Sequence, residues 1–146
     1  MDTTTKAQLK GTTVVGKYSS NAYVSGKKMY MYEPDTRYGA RIINGVTYIP
    51  TYFLQDALNL RTIYEKDRGM LKLMGEKRIY TTVGSAEAHL NGALVAITNP
   101  ATDIDGIPYI PVSFLKEVMG LEVYETADRV AFGTGINTAA VVVPVF

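Results

Sequence analysis

The chain contains no cysteine, which excludes disulfides, thiolate metal sites and thiol nucleophiles together. It has a single histidine, His89, in 146 residues, so neither a histidine acid–base pair nor a multi-histidine metal site can be assembled. No glycine-rich loop opens a helix: Gly133-Thr134-Gly135 leads into an apolar stretch, and a phosphate-cradling loop is not expected. No apolar run approaches the roughly 20 residues that span a bilayer, so membrane insertion is not expected. The net charge is only +1, too small for bulk attraction to nucleic acid.

Paired carboxylates are present but belong to turns. Asp103 with Asp105, Glu65 with Asp67 and Glu125 with Asp128 all sit at expected turns or strand ends, where acidic residues serve backbone geometry. A glycosidase-like dyad is therefore set aside. Asp103, Asp105 and Asn99 offer oxygens of the kind calcium takes, without the spacing of an EF-hand loop. No catalytic residue, metal or cofactor is expected. His89 is read as a half-exposed strand residue with a structural role.

The chain is otherwise of ordinary globular composition, 47% hydrophobic and 20% charged, and of a length that favours one domain, residues 1–146. Met1 is followed by Asp2-Thr3-Thr4-Thr5-Lys6 with no apolar signal segment. The content of Gly, Tyr, Thr and Val resembles that of secreted surface modules, and an extracellular location as part of a longer protein is expected. Charge is uneven. Residues 1 to 75 carry eleven Lys or Arg against six Asp or Glu, and residues 76 to 146 carry four against eight, an asymmetry consistent with an anion-facing end or with attraction between halves.

A repeat organises the sequence. The run from Ile43 to Leu54 (INGVTYIPTYFL) returns in the second half as Ile104 to Leu115 (IDGIPYIPVSFL), at one constant offset and without a gap. Leu60 matches Leu121, Tyr64-Glu65 matches Tyr124-Glu125 across a one-residue gap, and Asp67-Arg68 matches Asp128-Arg129. Upstream, Gly16 and Ser25-Gly26 match Gly84 and Asn91-Gly92. The units run from about 11 to 75 and about 76 to 134, followed by a strand or tail over 135–146. Asn44-Gly45 and Asp105-Gly106 suit type I′ hairpin turns. Pro50 and Pro111 suit the first position of a helix. Phe53, Leu54, Ala57 and Leu58, like Phe114, Leu115, Val118 and Met119, form one face of a short helix. Gly120 and Asn59 are the expected left-handed stops. The fold expected is α+β: mostly antiparallel β with two short helices, in two pseudo-symmetric repeats sharing one core. The apolar tail, Ala139 to Phe146, is expected to close the sheet as a strand, or to add to another domain.

The doubled pattern of a Gly hairpin, Tyr-Ile-Pro and Phe-Leu, with Gly-Leu-Glu-Val-Tyr-Glu and an Asp-Arg turn in the second unit, resembles the copper amine oxidase N-terminal-like, or stalk, domain family over nearly the whole chain. The resemblance implies a noncatalytic α+β module of secreted Gram-positive proteins, often beside hydrolases, lyases or surface-layer modules, and no copper site. The family usually has Arg before the helix Phe, where this chain has Tyr52 and Ser113, so that arginine's role does not carry over.

Differences between the units point to a site. Met29 and Met31 stand where unit 2 has Val95 and Ile97, leaving Lys28, Tyr30 and Tyr32 facing outward against Leu94, Ala96 and Thr98. Eight residues separate Pro34 from Ile43, but three separate Pro100 from Ile104, and the longer loop carries Arg37, Tyr38 and Arg41. Eight of the eleven tyrosines lie in unit 1. Tyr48 and Tyr109 repeat and are read as structural. Tyrosine offers an apolar ring and a hydroxyl at low entropic cost, and Arg offers a planar fork for carboxylates. Lys28, Tyr30, Tyr32, Arg37, Tyr38, Arg41 and Tyr52 are the expected contacts for an acidic polysaccharide, with the catalytic module of the same parent chain as the other partner. The alternative is a spacer or surface-layer connector without a ligand, in which exposed Lys and Tyr guard a sheet edge.

Overall fold

Four turns of two residues set the course of the backbone. Ser25-Gly26, Asn44-Gly45, Asn91-Gly92 and Asp105-Gly106 all hold both residues at positive φ, between 48° and 86°, the geometry that matches the twist of antiparallel strands. In the computed structural model, which describes residues 1–146, they join β2 (Asn21–Val24) to β3 (Lys27–Tyr30), β4 (Arg41–Ile43) to β5 (Val46–Pro50), β9 (Glu87–Leu90) to β10 (Ala93–Ala96), and β11 (Thr102–Ile104) to β12 (Ile107–Pro111). The other strands are β1 (Thr12–Gly16), β6 (Arg61–Glu65), β7 (Met70–Met74), β8 (Arg78–Thr82), β13 (Glu122–Glu125) and β14 (Arg129–Gly133). The helices are α1 (Thr3–Gln8), α2 (Leu54–Leu58), α3 (Val112–Glu117) and α4 (Thr138–Val141), with a 3₁₀ turn at Lys66–Arg68. All strand pairing is antiparallel, and the fold is α+β with four short α-helices rather than two.

The strands form three sheets. The first runs β13-β14-β1-β2-β3, the second β10-β9-β8-β7-β6 and the third β11-β12-β5-β4. The first two have the same order once each strand is matched with the one seven places along the chain. Each takes three neighbours from one half and two from the other. In the third, Ile49 lies opposite Ile110, Tyr48 opposite Pro111 and Pro50 opposite Tyr109, so the two copies of the repeated segment pair with each other.

The principal core gathers 22 buried residues from both halves, among them Val15, Ile49, Leu54, Leu71, Leu73, Ile79, Ile110, Phe114, Leu115, Val130 and Phe132. Helices α2 and α3 are too short to persist alone and depend on this packing. Asn59 (φ 55°) and Gly120 (φ 70°) stop them as expected. The prolines behave otherwise: Pro111 is the N-cap of α3, and Pro50 ends β5 four residues before α2. Preset φ suits an extended strand end as well as a helix start.

A second cluster, Leu9, Val14, Tyr23, Ala131, Ala140 and Val141, covers the other face of the first sheet. The tail therefore does not close a sheet as a strand. Asn137 caps α4 through its side-chain oxygen, Tyr23 donates to the Val145 carbonyl at 2.9 Å, and the Arg129 guanidinium lies 5.5 Å from the Phe146 ring centre. With both faces covered, every residue of β1 is buried. The matching face of the second sheet has no such cover, and His89 stands exposed on it opposite Tyr80.

Truncating Ile110 to Ala should destabilise the fold by about 2–5 kcal/mol. Because strands of both halves share each sheet, urea unfolding followed by tyrosine fluorescence and by far-ultraviolet circular dichroism should give one coincident transition, before and after the change.

Candidate functional site

Residues 31 to 41 leave β3 and cross the outer face of the third sheet before entering β4. That face carries a small apolar cluster of Tyr48, Ile107 and Tyr109, against which Tyr32, Tyr38, Val46 and Ile104 pack. The loop is held at its far end by Tyr109, fully buried, whose hydroxyl donates to the Gly39 carbonyl at 2.9 Å. Gly39 is required by space: a Cβ there would run into the Ser19 carbonyl and the Ser20 Cα. Tyr48 and Tyr109 are thus structural, as the repeat implied.

The tyrosines form a connected set. Tyr32 meets Tyr38 edge-on at 6.0 Å and Tyr52 at 5.9 Å with the rings tilted by 41°. Arg41 places its guanidinium 5.5 Å from the Tyr38 ring centre, a cation–π contact. The Tyr38 hydroxyl donates to the Asp105 carboxylate at 2.7 Å, and the Tyr64 hydroxyl donates to Asp103, which also accepts from the Gly106 amide. Asp103 and Asp105 are therefore bound into tyrosine and turn contacts. No three or more His, Asp or Glu side chains converge in a way that could hold a metal ion.

These contacts shift proton affinities. Burial, then the hydrogen bond to Asp103, pushes Tyr64 up to about 12. Burial pushes Tyr109 to about 12 and raises Tyr48 and Tyr52. The hydrogen bond to Asp105 raises Tyr38. The Arg37 fork grips Asp35 at 2.9 and 2.6 Å and holds its carboxyl down to about 2.

The seven residues expected to form the site fall into separate groups. Tyr30 and Tyr52, 44% and 41% exposed, line a hollow of about 270 Å³ together with Tyr32, Phe53, Glu33 and Asp56. Arg37 and Arg41 line another of about 560 Å³ at the opposite end of the loop, with Lys17, Ser19, Ser20 and Tyr18, which is 79% exposed. Tyr38 and Tyr32, half-buried, form the packed bridge between them, so Tyr32 is not the freely outward side chain that strand alternation implied. Lys28 shares the strand face of Tyr30 and lies opposite Tyr23, but lines neither hollow. The rings are not coplanar. Reading the sequence missed Glu33 and Asp56 beside the tyrosines, and Tyr18 beside the arginines. Only pairing across the β2–β3 hairpin brings Ser19 and Ser20 near residues 39 to 41.

The family model for the copper amine oxidase N-terminal domain matches residues 23–132, and the chain belongs to that family. The N-terminal domain of copper amine oxidases is itself noncatalytic. No curated protein matches the chain. No helix is long and apolar enough to cross a membrane.

Alkaline titration checks the buried tyrosines. Both the Tyr64 and Tyr109 phenols have folded values raised above the ordinary 10, so the stability they contribute is complete below pH 10 and is lost as pH rises toward 12. Phenolate absorbance at 295 nm should show a late-ionising group of tyrosines whose titration coincides with alkaline unfolding. Changing Tyr64 to Phe should remove one member of that later group.

Proposed function

We propose that this copper amine oxidase N-terminal domain is a noncatalytic carbohydrate-binding module of a longer extracellular protein, appended to a polysaccharide-degrading enzyme, and that it grips an acidic polysaccharide along loop 31–41. The observation that carries the reading is the placement of exposed aromatic rings at both ends of one loop, Tyr30 and Tyr52 at one end and Tyr18 beside Arg37 and Arg41 at the other. Tyrosine rings offer apolar area to the C–H face of a sugar, and their hydroxyls reach its polar edge. Glu33 and Asp56 divide the labour. Carboxylates accept bonds from sugar hydroxyls but repel acid groups, so neutral parts of the polymer suit the Tyr30–Tyr52 hollow and its carboxylates suit the arginine end. Arg41 makes no ion pair, whereas Arg37 must exchange Asp35 for the ligand.

The reading includes an internal duplication. The self-pairing of the repeated segments and the matched order of two sheets support two copies related by a local two-fold axis through Ile49 and Ile110, sharing the principal core. A second functional reading, a ligand-free spacer, is favoured by one observation: Tyr32, Tyr38, Tyr48, Tyr64 and Tyr109 spend their rings or hydroxyls on internal contacts.

Native gel electrophoresis in polygalacturonate and in hydroxyethylcellulose separates the readings. The domain should be retarded by the acidic polymer, less so at high salt, and Tyr30→Ala with Tyr52→Ala should weaken retention by about tenfold, the equivalent of ~1.4 kcal/mol. Unchanged mobility across a wider panel of acidic and neutral glycans would favour the spacer.

A further inference from the structure

The two halves differ in the side chains beside their central helix. In the first half, Tyr52 precedes α2 and Tyr64 lies on the adjacent β6, with Asp103 of β11 bonded to Tyr64. At the offset that carries Ile43 onto Ile104, the equivalent positions are Ser113 and Glu125. Strand facing supports this match over the one that pairs Tyr64 with Tyr124. Tyr64 lies opposite Leu71 and Glu125 opposite Val130, both partners in the principal core, whereas Tyr124 lies opposite Ala131 on the other face. A one-residue gap in a strand turns a side chain to the opposite face.

Where the two rings are replaced by a short hydroxyl and a carboxylate, a hollow of about 450 Å³ lies between the β4–β5 turn, α3 and β13. Val46, Val112 and Val123 give it apolar wall; Thr47, Asn99 and Ser113 give it hydroxyl and amide groups. The Ser113 oxygen is buried with no hydrogen-bond partner, although the residue itself is half-exposed. An orphan hydroxyl of this kind costs about 1–3 kcal/mol, and a change of χ1 rotamer would be needed to turn it toward a ligand in the hollow. Charge is also left over. Glu125 is matched by Lys17 at 2.9 Å, while Lys116 on the rim makes no ion pair. The hollow thus combines apolar wall, several neutral hydrogen-bonding groups and one uncompensated cation. Lys17 also lines the hollow of Arg37 and Arg41, so the Lys17–Glu125 pair is the boundary between the two.

We propose that this hollow is a subsite for one uronic acid residue, its ring against the valines, its hydroxyls on Thr47, Asn99 and Ser113, and its carboxylate on Lys116. The assignment rests on the polysaccharide reading above and adds a sugar class and a second location to it.

The test is a nitrogen-15 amide titration of the intact chain with tetragalacturonate, and with cellotetraose as the neutral probe. Tetragalacturonate should shift the amides of Thr47, Asn99, Ser113 and Lys116. Ser113→Tyr, which restores a ring to the open cleft, should abolish those shifts and leave any at Tyr30 and Tyr52 in place. Lys116→Glu, at an exposed position where folding is not at stake, should weaken the same shifts at least about tenfold. Shifts confined to Tyr30, Tyr38 and Tyr52 would overturn the subsite and leave the polysaccharide reading standing. Equal response of the hollow to cellotetraose would overturn the uronate assignment. Silence of these four amides toward tetragalacturonate would overturn the subsite, and silence everywhere toward both probes would count against both proposals.

Discussion

The rest of the fold depends on the antiparallel contact of β5 with β12. Its middle pair, Ile49 and Ile110, is fully buried and joins the two halves by backbone hydrogen bonds and by packing into the same core. Once these strands are side by side, the chain segments that leave them are thrown to opposite sides. The two strands after α2 then meet β8 of the second half, and the two strands after α3 meet β1 of the first. Neither half can complete a five-stranded sheet from its own strands, so the hydrophobic gain of each is realised only in the presence of the other.

The loop 31–41 can be long because the third sheet beneath it is already fixed, and its tyrosines attach it by ring packing instead of regular structure. The cost is that the most buried rings are poor ligand contacts. Tyr109 and Tyr48 are wholly committed, Tyr38 and Tyr32 partly so, and only Tyr30, Tyr52 and Tyr18 keep substantial exposed area. A tyrosine-rich segment in the sequence therefore overstates the available binding surface, and the useful part lies at its two ends.

Hairpin turns were the most legible elements. Asn-Gly and Asp-Gly between apolar runs report a local backbone requirement, positive φ at two residues, that tertiary contacts cannot easily override. The helices after Pro50 and Pro111 and their stops at Asn59 and Gly120 were legible for a similar reason. Residues 138 to 146 were not. Ala, Val and Phe carry strand propensity, yet their burial is achieved as one helical turn and a coil across the face of Val14, Tyr23 and Ala131, a demand visible only after β1, β2 and β14 have paired. Helix α1 was missed because Thr3–Gln8 has little apolar periodicity and is anchored by Asp2 and Leu9. Around the loop, grouping was not legible: Lys28 and Arg37 both lie in the first unit and belong to different surroundings, whereas Tyr18 and Arg41 line one hollow.

Departures from symmetry are where a frame built on paired segments can acquire a role. Matched positions of the similar segments are buried in both, as with Tyr48 and Tyr109 or Leu54 and Leu115. Positions that differ are released from that constraint, and three stand out together: the lengthened loop over the third sheet, the terminal helices over the first sheet, and the cleft where Ser113 and Glu125 stand in place of two rings. The terminal helices bury apolar area and are explained by that burial alone. The loop and the cleft instead leave polar groups and rings facing solvent, with one orphan hydroxyl and two cations, Arg41 and Lys116, that no carboxylate answers. On the proposed reading, a ligand rich in hydroxyls and carrying carboxylates would face these groups, and the ion pair of Lys17 with Glu125 joins the loop to the cleft.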